Sequence, residues 1–172
     1  MSGFQSGRTL EPLTWLFLPV AACMLATLIL TTPLRIWGFR LPEPVFAFVP
    51  VFAWAVVRPS VIGPILLFIL GVYMDLMWGT ALGLWAASLI VTYGFVVATR
   101  GFMGGQARLV IFGWYVSACV IGFGAAYLMT LMDINSSPNL IAVFWQFAVT
   151  LALYPLAFRL IERFEDADVR FR

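Results

Sequence analysis

A chain of 172 residues that is 63% hydrophobic and 10% charged, with a mean hydropathy of +1.00, carries more apolar surface than a water-soluble core of its size could hide. It reads as a polytopic membrane protein. The ten basic residues are all Arg, His and Lys are absent, and the net charge is +2. Those counts remove the commonest general base and the Schiff-base amine, and they speak against a nucleic-acid partner.

The first apolar run, Leu13 to Thr32, follows Arg8 and contains Val20-Ala21-Ala22-Cys23, which is similar to a bacterial lipoprotein cleavage box. The run continues through Leu30, where a lipoprotein would carry a polar tether, so an uncleaved first helix is expected. Ala22 and Ala26 give that helix a short face of small residues. The other cysteine, Cys119, also lies in an apolar run, which leaves neither a disulfide framework nor a metal cluster to expect.

A loop from Pro33 to Pro44 follows, with Trp37, Phe39 and Pro42 around Arg35, Arg40 and Glu43; a Pro-stiffened aromatic loop of this kind lies flat at an interface. The second run, Leu41 to Val57, is the shortest. Its unbroken apolar stretch, Val45 to Val57, would rise only about 20 Å, and Pro50 interrupts its hydrogen-bond ladder, so a tilted, kinked or re-entrant segment is expected.

Four further runs complete the pattern, at residues 61–78, 82–99, 109–131 and 140–160. Together with 13–32 and 41–57 they predict an all-α integral membrane protein, a six-helix transmembrane bundle forming one domain over residues 1–172. Five of the six reach the length of about 18 residues that a span needs. With six spans, one side of the membrane holds Arg8, Arg58, Arg100, Arg108, Arg159, Arg163, Arg170 and Arg172, and the other only Arg35 and Arg40. This asymmetry places both termini in the cytoplasm.

Between Arg58 and Arg100 the sequence has a single charge, Asp75. An ionisable group at a helix centre in a membrane costs about 2.5 to 3.5 kcal/mol, so it normally has a role. Gly71, Asp75 and Gly79 are spaced i, i+4, i+8 and share a helix face that a neighbouring backbone can approach closely. Asp75 lies near the outer end of its helix, where the dipole disfavours an anion. The nearby donors are the turn at Trp78-Gly79-Thr80 and the start of the next helix at Leu82-Gly83. Three roles stay open: a pin for the hairpin turn, a proton or ion site, and a contact with a partner.

On the fifth run Ala118, Gly122 and Ala126 form a second small-residue stripe, suited to packing within the chain or against another. Asp133, Asn135, Asn139 and Gln146 add polar groups at the outer end of the last hairpin. The C-terminal Arg159-Leu-Ile-Glu-Arg163-Phe-Glu-Asp-Ala-Asp-Val-Arg170-Phe-Arg reads as a helix leaving the membrane, with its first arginines near headgroups.

The hairpin Gly71-x3-Asp75-Leu76-x2-Gly79-x2-Leu82-Gly83 resembles the signature of the rod shape-determining protein MreD family of bacterial inner-membrane proteins. The Arg58-Pro59 break, the Tyr154-Pro155 step, the length and the span number add to the resemblance, while Trp78 and the acidic tail depart from it. The resemblance implies a bundle similar to the substrate-binding S-components of energy-coupling-factor transporters. It implies no catalysis, no cofactor and no metal. The partners it implies are the single-span protein MreC directly, and RodA, a class B penicillin-binding transpeptidase and the MreB filament in a wider cell-wall elongation complex. The competing reading is the substrate-binding subunit of a vitamin-type transporter, with Asp75 lining an outward cavity.

Overall fold

Long apolar runs without Gly-Pro breaks become helices, and the breaks fall where Pro, Gly or charge interrupts them. The computed structural model describes residues 12–31, 35–36, 39–40, 43–57, 59–132 and 139–169. Trp37, Pro42, Asp133 and Asn135, and of the charge pattern Arg8, Arg58, Arg170 and Arg172, lie outside the described residues. The helices are α1 (Pro12–Thr31), α2 (Phe48–Val57), α3 (Ile62–Trp78), α4 (Leu84–Thr99), α5 (Arg108–Met132), α6 (Leu140–Leu151) and α7 (Tyr154–Val169). A 3-10 turn, Arg100–Phe102, follows α4, and Arg35–Ile36 pairs antiparallel with Phe39–Arg40 between α1 and α2.

Three stretches are long and apolar enough to cross a membrane: Leu84–Phe102, Arg108–Met132 and Leu140–Glu162. The apolar helices Phe48–Val57 and Ile62–Trp78 are shorter. Three of the five runs expected to reach full length coincide with these stretches; α1, at 20 residues, matches its expected run in length, and α3, at 17, falls just short.

The largest departure is at α2. Its ten residues rise about 15 Å, half of a hydrocarbon core of about 30 Å, against the run of residues 41–57 expected to form a span. Pro50 does not kink it. It sits in the first turn, where a missing N–H leaves no bond unmade. Eight of the ten α2 residues are buried, Phe48 to Ala55, making this short helix the centre of the bundle against α4, α5 and α7.

The chain ahead of α2 is non-helical yet buried, with Val45 at 0% and Ala47 at 1% exposure. Irregular backbone at such a place needs protein partners. The Val45 N–H donates to the Thr150 hydroxyl oxygen at 3.0 Å, and the Cys23 thiol donates to the Phe46 carbonyl at 3.6 Å. Thr150 is the eleventh residue of α6, so α2 begins about 15 Å along that helix from its start.

The run of residues 140–160 is also not one helix. It breaks at Ala152–Leu153, with the Leu153 N–H turning back to the Thr150 carbonyl at 3.1 Å. Pro155, second in α7, has no N–H to continue the ladder from α6.

α3 and α4 form the tightest pair. At the end where α3 starts, the Tyr93 hydroxyl accepts from the Ser60 N–H at 3.0 Å and donates to the Ser60 carbonyl at 3.1 Å. α1 lies along α3, burying Val20, Cys23 and Thr27 and leaving Leu18, Leu25 and Ile29 outward.

Candidate functional site: the buried carboxylate turn

Asp75 lies in the last turn of α3 and is 1% exposed. One carboxylate oxygen, Oδ1, accepts from the Thr80 hydroxyl at 2.7 Å and the Trp85 N–H at 3.0 Å. The other, Oδ2, accepts from the Gly83 N–H at 2.8 Å. The main-chain carbonyl of Asp75 is used as well, accepting from the N–H groups of Gly79 and Thr80. The unfavourable dipole at the end of α3 is thus offset by the first amides of α4, which present their positive end to the same anion.

Two glycines shape that turn. Gly79 closes α3 at φ 65° and Gly83 opens α4 at φ 94°, left-handed conformations that cost an L side chain about 1 kcal/mol or more. Gly71 acts differently: a Cβ there would run into the Ala86 backbone and lie 2.8 Å from the Trp85 carbonyl carbon. The α3 backbone therefore rests directly on the first turn of α4, and this contact brings the Gly83 and Trp85 amides within reach of Asp75.

The apolar members of the motif face the other way. Leu76 is 62% exposed and Leu82 73% exposed, so the hairpin buries its polar group and presents leucines outward. Beneath the turn, Trp78 and Trp85 meet edge to face at 5.2 Å, and Trp85 meets Phe123 of α5 at 5.9 Å. The indole N–H groups of Trp54, Trp78 and Trp85 are buried without an acceptor among the described residues, the opposite condition to that of the carboxylate.

The stripe Ala118, Gly122 and Ala126 is buried against the chain's own helices. A Cβ at Gly122 would strike the Phe48 ring and the Thr92 hydroxyl, and the Gly122 carbonyl accepts from the Ser88 hydroxyl at 2.7 Å. Of its two readings, packing within the chain is the one the geometry shows. On α1, Ala22 is exposed and Ala26 half-buried. Asn139 caps α6, its side-chain oxygen accepting from the Ile141 N–H at 3.1 Å.

Several polar residues that organise the bundle were not singled out from the sequence. Ser88 and Thr92, one turn apart on α4, are both fully buried, and the Thr92 hydroxyl donates to the Ser88 carbonyl at 2.7 Å. Their i, i+4 spacing in an apolar helix was the available signal. Thr150 also takes the Tyr115 hydroxyl on its carbonyl at 3.2 Å, and nothing local in the sequence points to that.

Among the described residues no group of three metal-ligating side chains converges. An open apolar groove of about 440 Å³ runs between α5 and α6, walled by Val120, Phe123, Tyr127, Phe144 and Phe147 with Gly124 at its side. No family model matches the chain, and neither a curated protein nor a solved structure does.

Proposed function

We propose that this protein is a non-catalytic, multi-pass inner-membrane subunit of the bacterial cell-wall elongation machinery, similar to the MreD family and working by lateral contact with MreC. The observation that carries this reading is the state of Asp75. Both carboxylate oxygens are engaged by three donors from the same hairpin, so the one acid of the motif acts as a strut, while Leu76 and Leu82 are left outward as apolar contact surface. A group so fully engaged is a poor ligand for a transported solute, and exposed leucines on a tight turn suit contact inside a bilayer.

In this reading all six apolar segments are embedded, with α2 as a half-length central element and both termini in the cytoplasm. Its other partners are RodA, the class B transpeptidase and the MreB filament, through the larger complex. Purification in mild detergent from a rod-shaped bacterium, followed by mass spectrometry, tests it: MreC is expected in the purified sample. Retention of a vitamin or an ion in place of MreC would replace this reading with that of a transporter subunit.

A further inference from the structure

We propose that the end of the bundle where α5 begins beside α7 is a seat for the headgroup of an anionic phospholipid, with Arg108 as its principal ligand. The inference goes beyond the cell-wall reading and rests only on the chain's being embedded in a membrane.

Arg108 is exposed, but it is not loose. Its guanidinium lies over the Phe158 ring at 3.9 Å from the centroid, and its carbonyl accepts from the Tyr154 hydroxyl at 2.7 Å. Tyr154 is itself held between Phe112 and Phe158, at 4.8 and 5.9 Å. Stacking fixes one face of a planar guanidinium and leaves its edge donors free, the arrangement that suits bidentate contact with a phosphate. Among the described residues none of Arg100, Arg108 and Arg159 has an ion-pair partner, although Glu162 lies one turn beyond Phe158 on α7.

The surroundings define the occupant. Leu109 is 80% exposed, Phe102 69% and Leu156 48%, so the chain on either side of Arg108 and the Tyr154–Phe158 turn of α7 carry exposed apolar side chains. That mixture matches the boundary between acyl chains and headgroups, where each arginine adds about 1 kcal/mol of attraction to an anionic lipid. A soluble anion would use the arginines and leave the leucines and Phe102 in water. A phospholipid uses both, and charge complementarity selects an anionic one.

Native mass spectrometry of the full chain, released from detergent with added phosphatidylglycerol or phosphatidylcholine, tests the proposal. Phosphatidylglycerol is expected to be retained over phosphatidylcholine, and Arg108→Gln to lower that retention about fivefold, the change a single arginine's attraction corresponds to. Phe158→Leu keeps the charge and removes the stack. It is expected to lower retention by a smaller factor, and it carries the test should Arg108→Gln not fold. Gln106→Ala, beside the site, is expected to change nothing. Equal retention of the two lipids by the wild type, or unchanged phosphatidylglycerol retention in both the Arg108 and Phe158 variants, would overturn the proposal. So would displacement of the lipid by an acidic peptide at matched charge, which would make the seat a protein-docking site.

Discussion

In the α3/α4 hairpin the backbone of Gly71 rests on Ala86, the turn is fixed by Asp75, and Tyr93 ties the opposite end to Ser60. In the α5/α6 pair, α6 has one buried residue, Thr150, and an apolar groove opens along the contact. Both pairs are built from apolar residues, so hydrophobicity does not distinguish them. What separates them is the distance at which backbones meet and whether a polar group is shared. In an apolar solvent the hydrophobic effect drives helices together weakly, and close packing with satisfied hydrogen bonds takes over. The first pair behaves as one body, while the second leaves much of its surface for lipid or for another chain.

Removing the shared polar group is the most severe way to break this contrast. Asp75→Leu strands the Thr80 hydroxyl and the Gly83 and Trp85 amides together, and is expected to cost about 3 kcal/mol or more. Asp75→Asn, which keeps an acceptor oxygen, should lose less. Protein level in membranes and thermal unfolding in detergent measure both, and a normal melting temperature for Asp75→Leu would mean that the strut does not hold the hairpin.

Gly71→Ala comes next, because the atom it meets is backbone and cannot swing aside. A loss of about 2 kcal/mol is expected, and engineered cysteine crosslinks between α3 and α4 should form more slowly as the helices separate. Crosslinking at the wild-type rate would refute the close contact. Gly83→Ala should cost about 1 kcal/mol through its left-handed φ of 94°, with no side chain in the way. Phe144→Ala tests the other pair: the ring is 63% exposed on the groove, and the melting point should shift by less than about 0.5 kcal/mol allows. A larger shift would show that α6 is held as firmly as α4 and erase the distinction.

The parts of this fold that were legible in sequence are the local ones. Asp75 stood alone in an apolar stretch, and helix polarity pointed to donors in the turn beyond it; of the amides expected, Gly83 serves the carboxylate, Thr80 serves it through its hydroxyl instead, and the Trp85 amide was not foreseen. The place of α2 was not legible. α1 and α2 are both apolar throughout, yet α1 turns Leu18, Leu25 and Ile29 outward while α2 has eight buried residues. Hydropathy is equally satisfied by lipid and by protein, and the contact that sets the depth of α2, Val45 to Thr150, joins residues 105 apart. The break at Ala152–Leu153 was missed for a related reason: Pro155 was visible, but an uninterrupted apolar run concealed what it does to the helix ladder. Small-residue spacing favoured an internal neighbour for Gly122 without naming it, and that neighbour is the Phe48 ring.

The short central helix has a consequence for how the protein is made. A ribosome delivers residues 43–57 well before α4, α5 and α7, the helices that enclose them, and a segment of ten helical residues is too short to be secured by lipid alone. We expect it to settle last, threading into a cradle completed only when α7 has been synthesised, so that the order of assembly departs from the order of the chain. Chains truncated after Leu151 should then leave residues 43–57 open to added protease, and protection of that segment in the truncated form would show that it folds without its final wall.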